Sequence, residues 1–276
     1  MDDMAGFVSD DQILSSELAA NNWQTETVSW KTPSVDWAGF DVVLVRTTWD
    51  YHHFPEQFTS VIDEIAASPA KLENSADLIK WNINKTYLRE LADRGIDIVP
   101  TIFVGRNAAE FGDWPNELGS ERLILKPVIS ANSDNTFLLS EMSDEAENAL
   151  RLREYMVQLF LNSIIDEGEF SLFYFDGEFS HAINKRPKAD DFRVQEEHGG
   201  QITKFSADEE MLTIGASVLK QLDETPLYAR VDLIRGNNNK LQLMELELIE
   251  PSLYFRFDED AAAMFVSKLN KRMNEF

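Results

Sequence analysis

The sequence predicts an α/β protein, with an open, helix-covered sheet near the N-terminus and a body rich in antiparallel strands. Three observations carry this. Asp41-Val-Val-Leu-Val45 is an apolar run ending in polar residues, the pattern of a buried parallel strand. Residues 58–67 place Val61, Ile62 and Ile65 at helical spacing, one face of an amphipathic helix. Asp176-Gly177 sits between the alternating segments 170–175 and 179–183, a hairpin signal because both turn positions favour positive φ.

The elements follow in order. Residues 10–21 carry Ile13, Leu14, Leu18 and Ala19 at helical spacing, and 25–28 read as a short strand. Ligands of open sheets sit at the carboxyl ends of strands, which puts Arg46, Thr47, Trp49 and Tyr51 at a binding edge after the 41–45 run. Residues 74–95 form a longer helical region, with Leu78, Trp81, Leu88 and Leu91 on one side and Gly95 as its stop. Residues 96–104 are strand-like but interrupted by Pro100, and 123–127 form a strand with Lys126 just before Pro127. Ser143 caps a helix over 143–153 whose first turn holds Asp144 and Glu145. An apolar run at 155–161, a helix at 207–222, strands at 231–234 and 241–249, and a closing helix at 258–274 complete the chain.

Composition bounds the chemistry. The 276 residues hold 49 acids and 25 bases, a net charge of −24, and 43% are hydrophobic, enough for sizeable cores. There is no Cys, so disulfides, thiolate metal sites and a Cys nucleophile are excluded. No apolar run approaches the roughly 18–20 residues that cross a bilayer, and the acidic N-terminus lacks the basic and apolar regions of a signal peptide. The default expectation is a cytoplasmic protein with no membrane partner. Duplex nucleic acid is disfavoured, because phosphate contacts need clustered Lys and Arg. A phosphate-bearing ligand would need a local basic cluster or a divalent cation.

The acidic residues near the C-terminus are the most informative. Glu245 and Glu247 are two apart on a strand and so share a face. If Arg235 and Gln242 close the Gly236 loop as a hairpin, Asp232 falls opposite Glu245. Two readings stand: oxygen ligands for Mg²⁺, or a solvated acidic strand face. The basic counterparts are Lys85, Lys126, Lys185, Arg186, Arg193 and Arg230, each of which taken singly also fits a surface charge. No Walker A or GxGxxG sequence occurs; the small polar loop 129–136 could cover a phosphate through backbone N–H groups, or be a plain surface loop. His52 and His53 read as loop residues near the substrate edge, His181 and His198 as structural. The absence of GxSxG gives no support to a Ser-His-Asp arrangement.

An ordered set of segments resembles the ATP-grasp superfamily, in the branch with prokaryotic glutathione synthetase and the ribosomal-protein glutamate ligase. The set is RTTWDY (46–51), KWNINKTYLRELADRGIDIVPT (80–101), LILKP (123–127), MVQLFL (156–161), DEGEFSLFYFDGEFSHAINKRPKADDFR (166–193), YARVDLI (228–234) and LMELELIEP (243–251). RTTWDY, VDW (35–37) and ELELIEP are similar most of all to the cyclo-ligase of cycloserine biosynthesis and its uncharacterised relatives. The resemblance implies an N-terminal α/β domain over 1–76, a lid subdomain over 77–157 and a catalytic subdomain over 158–276, the last two gripping ATP. It also implies Mg²⁺, with Mn²⁺ as a substitute, and an acyl phosphate formed on a small amino-acid-like carboxylate before an amine or other N/O nucleophile displaces phosphate.

By the same resemblance, Lys85, Lys126, Lys185 and Arg193 are nucleotide-side cations. Gln158, Leu159, Phe160 and Leu161 form the adenine hinge, Met244 lies against the ring, and Glu169 is the acid near the ribose. Arg230 resembles an arginine that steadies the transferring phosphoryl group, and Asp232, Glu245 and Glu247 resemble the metal ligands. Arg46, Trp49 and Tyr51 remain the substrate edge. Three departures stand out: the 129–136 loop lacks glycines, Glu247 replaces a frequent Asn, and the chain starts where relatives have completed a first strand. The last implies a truncated start or a sheet with an open edge or gap. Two alternatives follow: a nucleotide-binding module without turnover, and a ligase adding amino acids to a peptide or protein. Relatives are often dimers or tetramers; the charge does not choose between states.

Overall fold

The computed structural model describes the 276 residues apart from 3, 5, 107–112, 142, 145–146, 149–151 and 276. Near the N-terminus, β1 (Val42–Leu44) and β2 (Lys71–Glu73) pair in parallel. They lie among α1 (Asp11–Ala20) and α2 (Pro55–Ala66), the latter burying Phe58, Ile62 and Ile65. α2 starts earlier than periodicity predicts because Pro55, with its fixed φ and no N–H to satisfy, suits a first turn. The strand expected at 25–28 is irregular. Among the described residues it has no ladder partner, and it lines with β1 a cavity of about 450 Å³ that Trp23, Val28, Val42, Leu44 and Phe58 border among others. A strand without a partner leaves its backbone groups to solvent and does not hold its form. Among the described residues this sheet has two strands.

The single helical region expected over 74–95 is two helices, α3 (Ala76–Ile83) and α4 (Tyr87–Asp93). The break has a physical cause: the Lys85 N–H donates to the Val128 carbonyl (2.8 Å) instead of continuing the helix. A four-stranded antiparallel sheet follows, in the order β3 (Thr101–Val104), β6 (Tyr155–Leu159), β4 (Leu123–Pro127), β5 (Phe137–Leu138), with α5 (Trp114–Leu118) beside it. The 96–104 strand narrows to the part beyond Pro100, leaving Ile98 a lone bridge to Leu243. The helix expected over 143–153 lies partly outside the described residues, which omit 145–146 and 149–151. β6 runs to Leu159, so Gln158 pairs with Thr101 and Ile124 inside this sheet.

The larger antiparallel sheet has the order β11 (Leu241–Glu247), β10 (Tyr228–Arg235), β7 (Glu169–Phe175), β8 (Glu178–Arg186), β9 (Gln201–Phe205). Asp176 and Gly177 make the predicted turn, both at positive φ (50° and 75°). β9 is an edge strand that its polar sequence did not signal. The helices α6 (Ser163–Asp166), α7 (Glu209–Leu219) and α8 (Ala261–Asn274) complete the body. Among the described residues no helix is long and apolar enough to cross a membrane.

Alternation along the strands sorts the two faces. Leu172, Tyr174, Val231 and Leu233 pack with Leu88 and Leu91 of α4 and Met211 and Val218 of α7. On the other face, Phe173, Phe175 and Tyr228 pack under α1 and α8 against Leu14, Leu18 and Phe265. That second face turns polar beyond Tyr228, where no helix covers it, and there the cleft opens.

Asn74 ties the N-terminal part to this sheet. Its side-chain amide donates to the carbonyls of Tyr228 (2.9 Å) and Leu248 (2.8 Å), and its oxygen accepts from Leu227 N–H (2.7 Å). Asn74→Ala strands three buried backbone groups at about 1–3 kcal/mol each. The expected loss is about 3 kcal/mol or more, a melting temperature lower by about 6–12 °C. A thermal melt showing a fall under about 2 °C would disprove the tie.

Candidate active site

The cleft floor is the polar half of the face that α8 covers elsewhere. Along β10 that face reads Tyr228, Arg230, Asp232, Ile234, passing from helix-covered core through a cation and an acid to an apolar end. Asp232 stands opposite Glu245 and Arg230 opposite Glu247, the register expected from the sequence. It arises differently: Arg235 pairs with Leu241, not Gln242, and a bulge at Met244 restores the alignment. The bulge also turns Met244 into the cleft beside Val99, Phe160, Leu161 and Ile234.

Like charges this close need partners, and the structure supplies them. The Arg230 guanidinium donates to Asp232 (Nη2 to Oδ2, 3.0 Å) and to Glu247. Lys185 pairs with Glu169 and approaches Asp232 (3.6 Å), while Lys85 pairs with Glu245 (3.0 Å) and donates to the Ser130 carbonyl. Burial opposes ionisation of Asp232, yet Arg230 and Lys185 hold it below the usual carboxylate range; Lys85 and Lys126 do the same for Glu245. Burial dominates at Glu247, raising it to about 7, and at Glu250, which burial and then Glu247 push up to about 8. Gly168, at φ +90°, lets β7 begin here; a Cβ would lie 2.5 Å from the Lys185 carbonyl oxygen.

Across the cleft, Lys126 ends β4 and pairs with no carboxylate among the described residues; burial pushes its ammonium below the usual lysine range. Gln158, Leu159, Phe160 and Leu161 line the adjoining wall, with the Gln158 amide held by Thr101 Oγ1 (3.0 Å). Ser130 to Ser133 and Thr136 form the roof. Asn132, Ser133 and Asn135 take left-handed backbone (φ 54–56°), the conformation that glycines supply elsewhere. Arg193 reaches the cleft while clamped by Asp191 (2.9 and 3.1 Å).

The cleft, about 190 Å³, thus gathers the candidate residues except Arg46, Thr47 and Arg186. Trp49 and Tyr51 line it. Arg46 does not: it donates to Asp11 Oδ1 (3.0 and 3.1 Å) and to the Pro251 carbonyl (3.1 Å), and belongs to the wall of the 450 Å³ cavity. Trp49 likewise fixes main chain, its indole N–H donating to the Glu250 carbonyl (2.9 Å). Sequence reasoning missed Asn82, Tyr87, Glu250 and Tyr254, which also line the cleft. A third acid at Glu250, following Glu245 and Glu247, was the available signal. His52 Nε2 lies 3.3 Å from Asp134 on the roof loop, while His181 is structural, its Nε2 3.0 Å from the Leu253 carbonyl oxygen.

The donor set suits a divalent cation. Glu245 and Glu247 each commit one oxygen to a cation and leave the other unpartnered among the described residues, beside Asp232 on the same face.

Known proteins resemble this chain over most of its length. Residues 1–74 match the family model of the D-cycloserine synthetase DcsG N-terminal domain. The cycloserine biosynthesis protein DcsG of Streptomyces lavendulae is 27% identical over 274 residues, covering 90% of this chain and 88% of that protein. The crystal structure of D-cycloserine synthetase DcsG superposes with a TM-score of 0.86 at 26% identity, over 96% of this chain and 94% of that one. The ATP-grasp ligase PsnB, complexed with a precursor variant, Mg and ADP, shares the fold at a TM-score of 0.64 and 14% identity, over 93% and 94% of the two chains. Residues 85–254, more than half of the chain, match the model of the prokaryotic glutathione synthetase ATP-grasp domain, and the protein accordingly belongs to that family of ATP-grasp ligases.

Proposed function

We propose that the protein joins a small carboxylate to an amine or related N/O nucleophile at the expense of ATP. The γ-phosphoryl group passes to the substrate carboxylate, giving ADP and an acyl phosphate; the nucleophile then displaces phosphate. One observation carries this reading: Lys126, a half-buried ammonium with no carboxylate partner among the described residues, faces a sheet bearing Arg230, Asp232, Glu245 and Glu247 across one cleft. That layout suits a polyphosphate, which needs cations on one side and a metal-binding surface on the other.

In this reading residues 1–76 form the N-terminal domain, 77–157 the lid and 158–276 the catalytic body. Lys85, Lys126 and Arg193 hold phosphates. Gln158 to Leu161 and Met244 enclose adenine, and Glu169, positioned by Lys185, meets the ribose. Asp232, Glu245 and Glu247 would hold Mg²⁺, with Mn²⁺ as a substitute; the bound ion supplies neutralising charge to the phosphates. Arg230 stabilises the phosphoryl group in transfer and the oxyanion that follows. No nucleophilic side chain is required. The residues beside Trp49, Tyr51 and Glu250 receive the carboxylate substrate.

Three outcomes test this. Lys126→Ala should weaken ATP binding about 10- to 150-fold, the worth of a charge-assisted hydrogen bond of about 1.5–3 kcal/mol, and calorimetry reads it directly; unchanged affinity removes Lys126 from the site. Glu245→Gln should abolish most Mg²⁺-dependent phosphate release while the melting temperature moves by only a few degrees, and full activity would return the strand to a plain acidic face. Arg230→Lys keeps a charge but loses the bidentate fork. ATP affinity should hold while kcat and kcat/KM fall together by about 10²-fold. Equal losses of binding and turnover would make Arg230 a ground-state phosphate ligand.

A further inference from the structure

Three side chains with metal-ligating atoms converge at the rim of the cleft, away from its acidic floor. Tyr51–His53 is a single 3-10 turn in the segment after β1, and Asp134 lies in the roof loop between Ser133 and Asn135. His52 Nε2 is 3.3 Å from Asp134 Oδ2, and His53 Nδ1 is 4.0 Å from the same oxygen. One ligand atom from each residue falls within 4.8 Å of the other two. A hydrogen bond to Asp134 accounts for the first ring. The second ring, turned toward the same oxygen, makes the group a ligand set.

We propose that His52, His53 and Asp134 form a binding site for Zn²⁺ or a like transition-metal dication, which fastens the roof loop to the turn after β1. Ligands at about 2.0–2.1 Å from one ion and at tetrahedral angles stand about 3.3 Å apart. His52 and Asp134 already keep that separation, and His53, whose side chain is 54% exposed, has room to close the remainder. The donor set chooses the ion: two imidazoles and a carboxylate suit Zn²⁺ and its neighbours, whereas Mg²⁺ prefers the oxygens of Asp232, Glu245 and Glu247. The His52 side chain is only 6% exposed, so its ring is in place before an ion arrives. Burial and then His53, against the pull of Asp134, hold its imidazole below the usual range and keep the electron pair that a metal needs. His52 Nδ1 is buried with no hydrogen-bond partner among the described residues. Lack of such an outer partner weakens a metal site about 10- to 100-fold, so the ion exchanges readily.

The location gives the ion its effect. Trp49 and Tyr51 line the cleft just before the two histidines, and Ser133 and Thr136 line it on either side of Asp134. The Asn132 amide reaches the Trp49 carbonyl across the same gap at 3.4 Å, a long hydrogen bond. Metal bonds to both sides hold the roof down over whatever the cleft contains.

The test uses the full chain without nucleotide, with excess Mg²⁺ present to occupy the acidic floor. Competition with a chromogenic chelator reads Zn²⁺ affinity, and hydrogen exchange follows peptides spanning the roof loop. The parent should bind Zn²⁺, and the roof peptides should then exchange more slowly. His53→Ala, at an exposed position, and Asp134→Asn, which keeps the shape, should each weaken Zn²⁺ by at least about 10-fold and remove the added protection. A thermal melt without Zn²⁺ checks that both variants are folded. Co²⁺ in place of Zn²⁺ should give the intense visible bands of a four-coordinate ion in the parent and lose them in both variants. The proposal is overturned if the parent binds no Zn²⁺ or if both variants keep the parent's affinity. Loss of Zn²⁺ binding in Glu245→Gln alone would place the ion on the floor and overturn it equally. Binding that leaves roof exchange unchanged would overturn the fastening. Neither readout involves ATP, so the site stands or falls apart from the ligase reading.

Discussion

From Leu246 onward the outer edge of the last strand of the five-stranded sheet, and the chain beyond it, have no neighbouring strand among the described residues, and the outward backbone groups must be satisfied in some other way. Side chains do it. Tyr87 and Asn82 serve the peptide groups of Leu246 and Leu248, Asn74 reaches the Leu248 carbonyl, and Trp49 and Arg46 take those of Glu250 and Pro251. These residues come from the N-terminal part and from α3 and α4. One stretch of edge backbone is thus where the parts of the molecule are joined. The same stretch carries Glu245, Glu247 and Glu250 into the cleft, so the joint and the acidic face are a single construction.

The second dependence is electrical. A chain with a net charge of −24 still gathers Lys85, Lys126, Lys185, Arg193 and Arg230 around one cavity. Most of them are committed to carboxylates, which lets the charged floor be buried without ligand. Binding of a polyphosphate with its cation would exchange partners within this set instead of creating charge pairs anew. That exchange keeps the desolvation cost of opening the site low, because the ions are already out of bulk water.

What was legible in the sequence was local. The Asp176-Gly177 turn, the LILKP strand and the alternation that puts Glu245 and Glu247 on one face depend on neighbours in the chain, and they appear as read. What was not legible depends on partners far away. Residues 25–28 have strand-forming side chains but no ladder, and Arg46 is drawn off to Asp11 and Pro251. The register of Asp232 with Glu245 was reached from a hairpin closing pair that is off by one, and only the bulge at Met244 brings it back. Glu250 escaped because its place in the cleft depends on Trp49, far away in the chain, which no spacing rule records.

The roof loop carries a consequence of its own in temperature. Asn132, Ser133 and Asn135 hold left-handed backbone where glycine would be freest. A glycine-poor loop has fewer conformations to surrender on folding, so ordering it over the cleft costs less entropy. The left-handed backbone itself is less favourable for these residues, a cost that is largely enthalpic. Entropic costs grow in proportion to temperature and enthalpic ones do not. Warming therefore loosens this cover less than it would loosen one built from glycines.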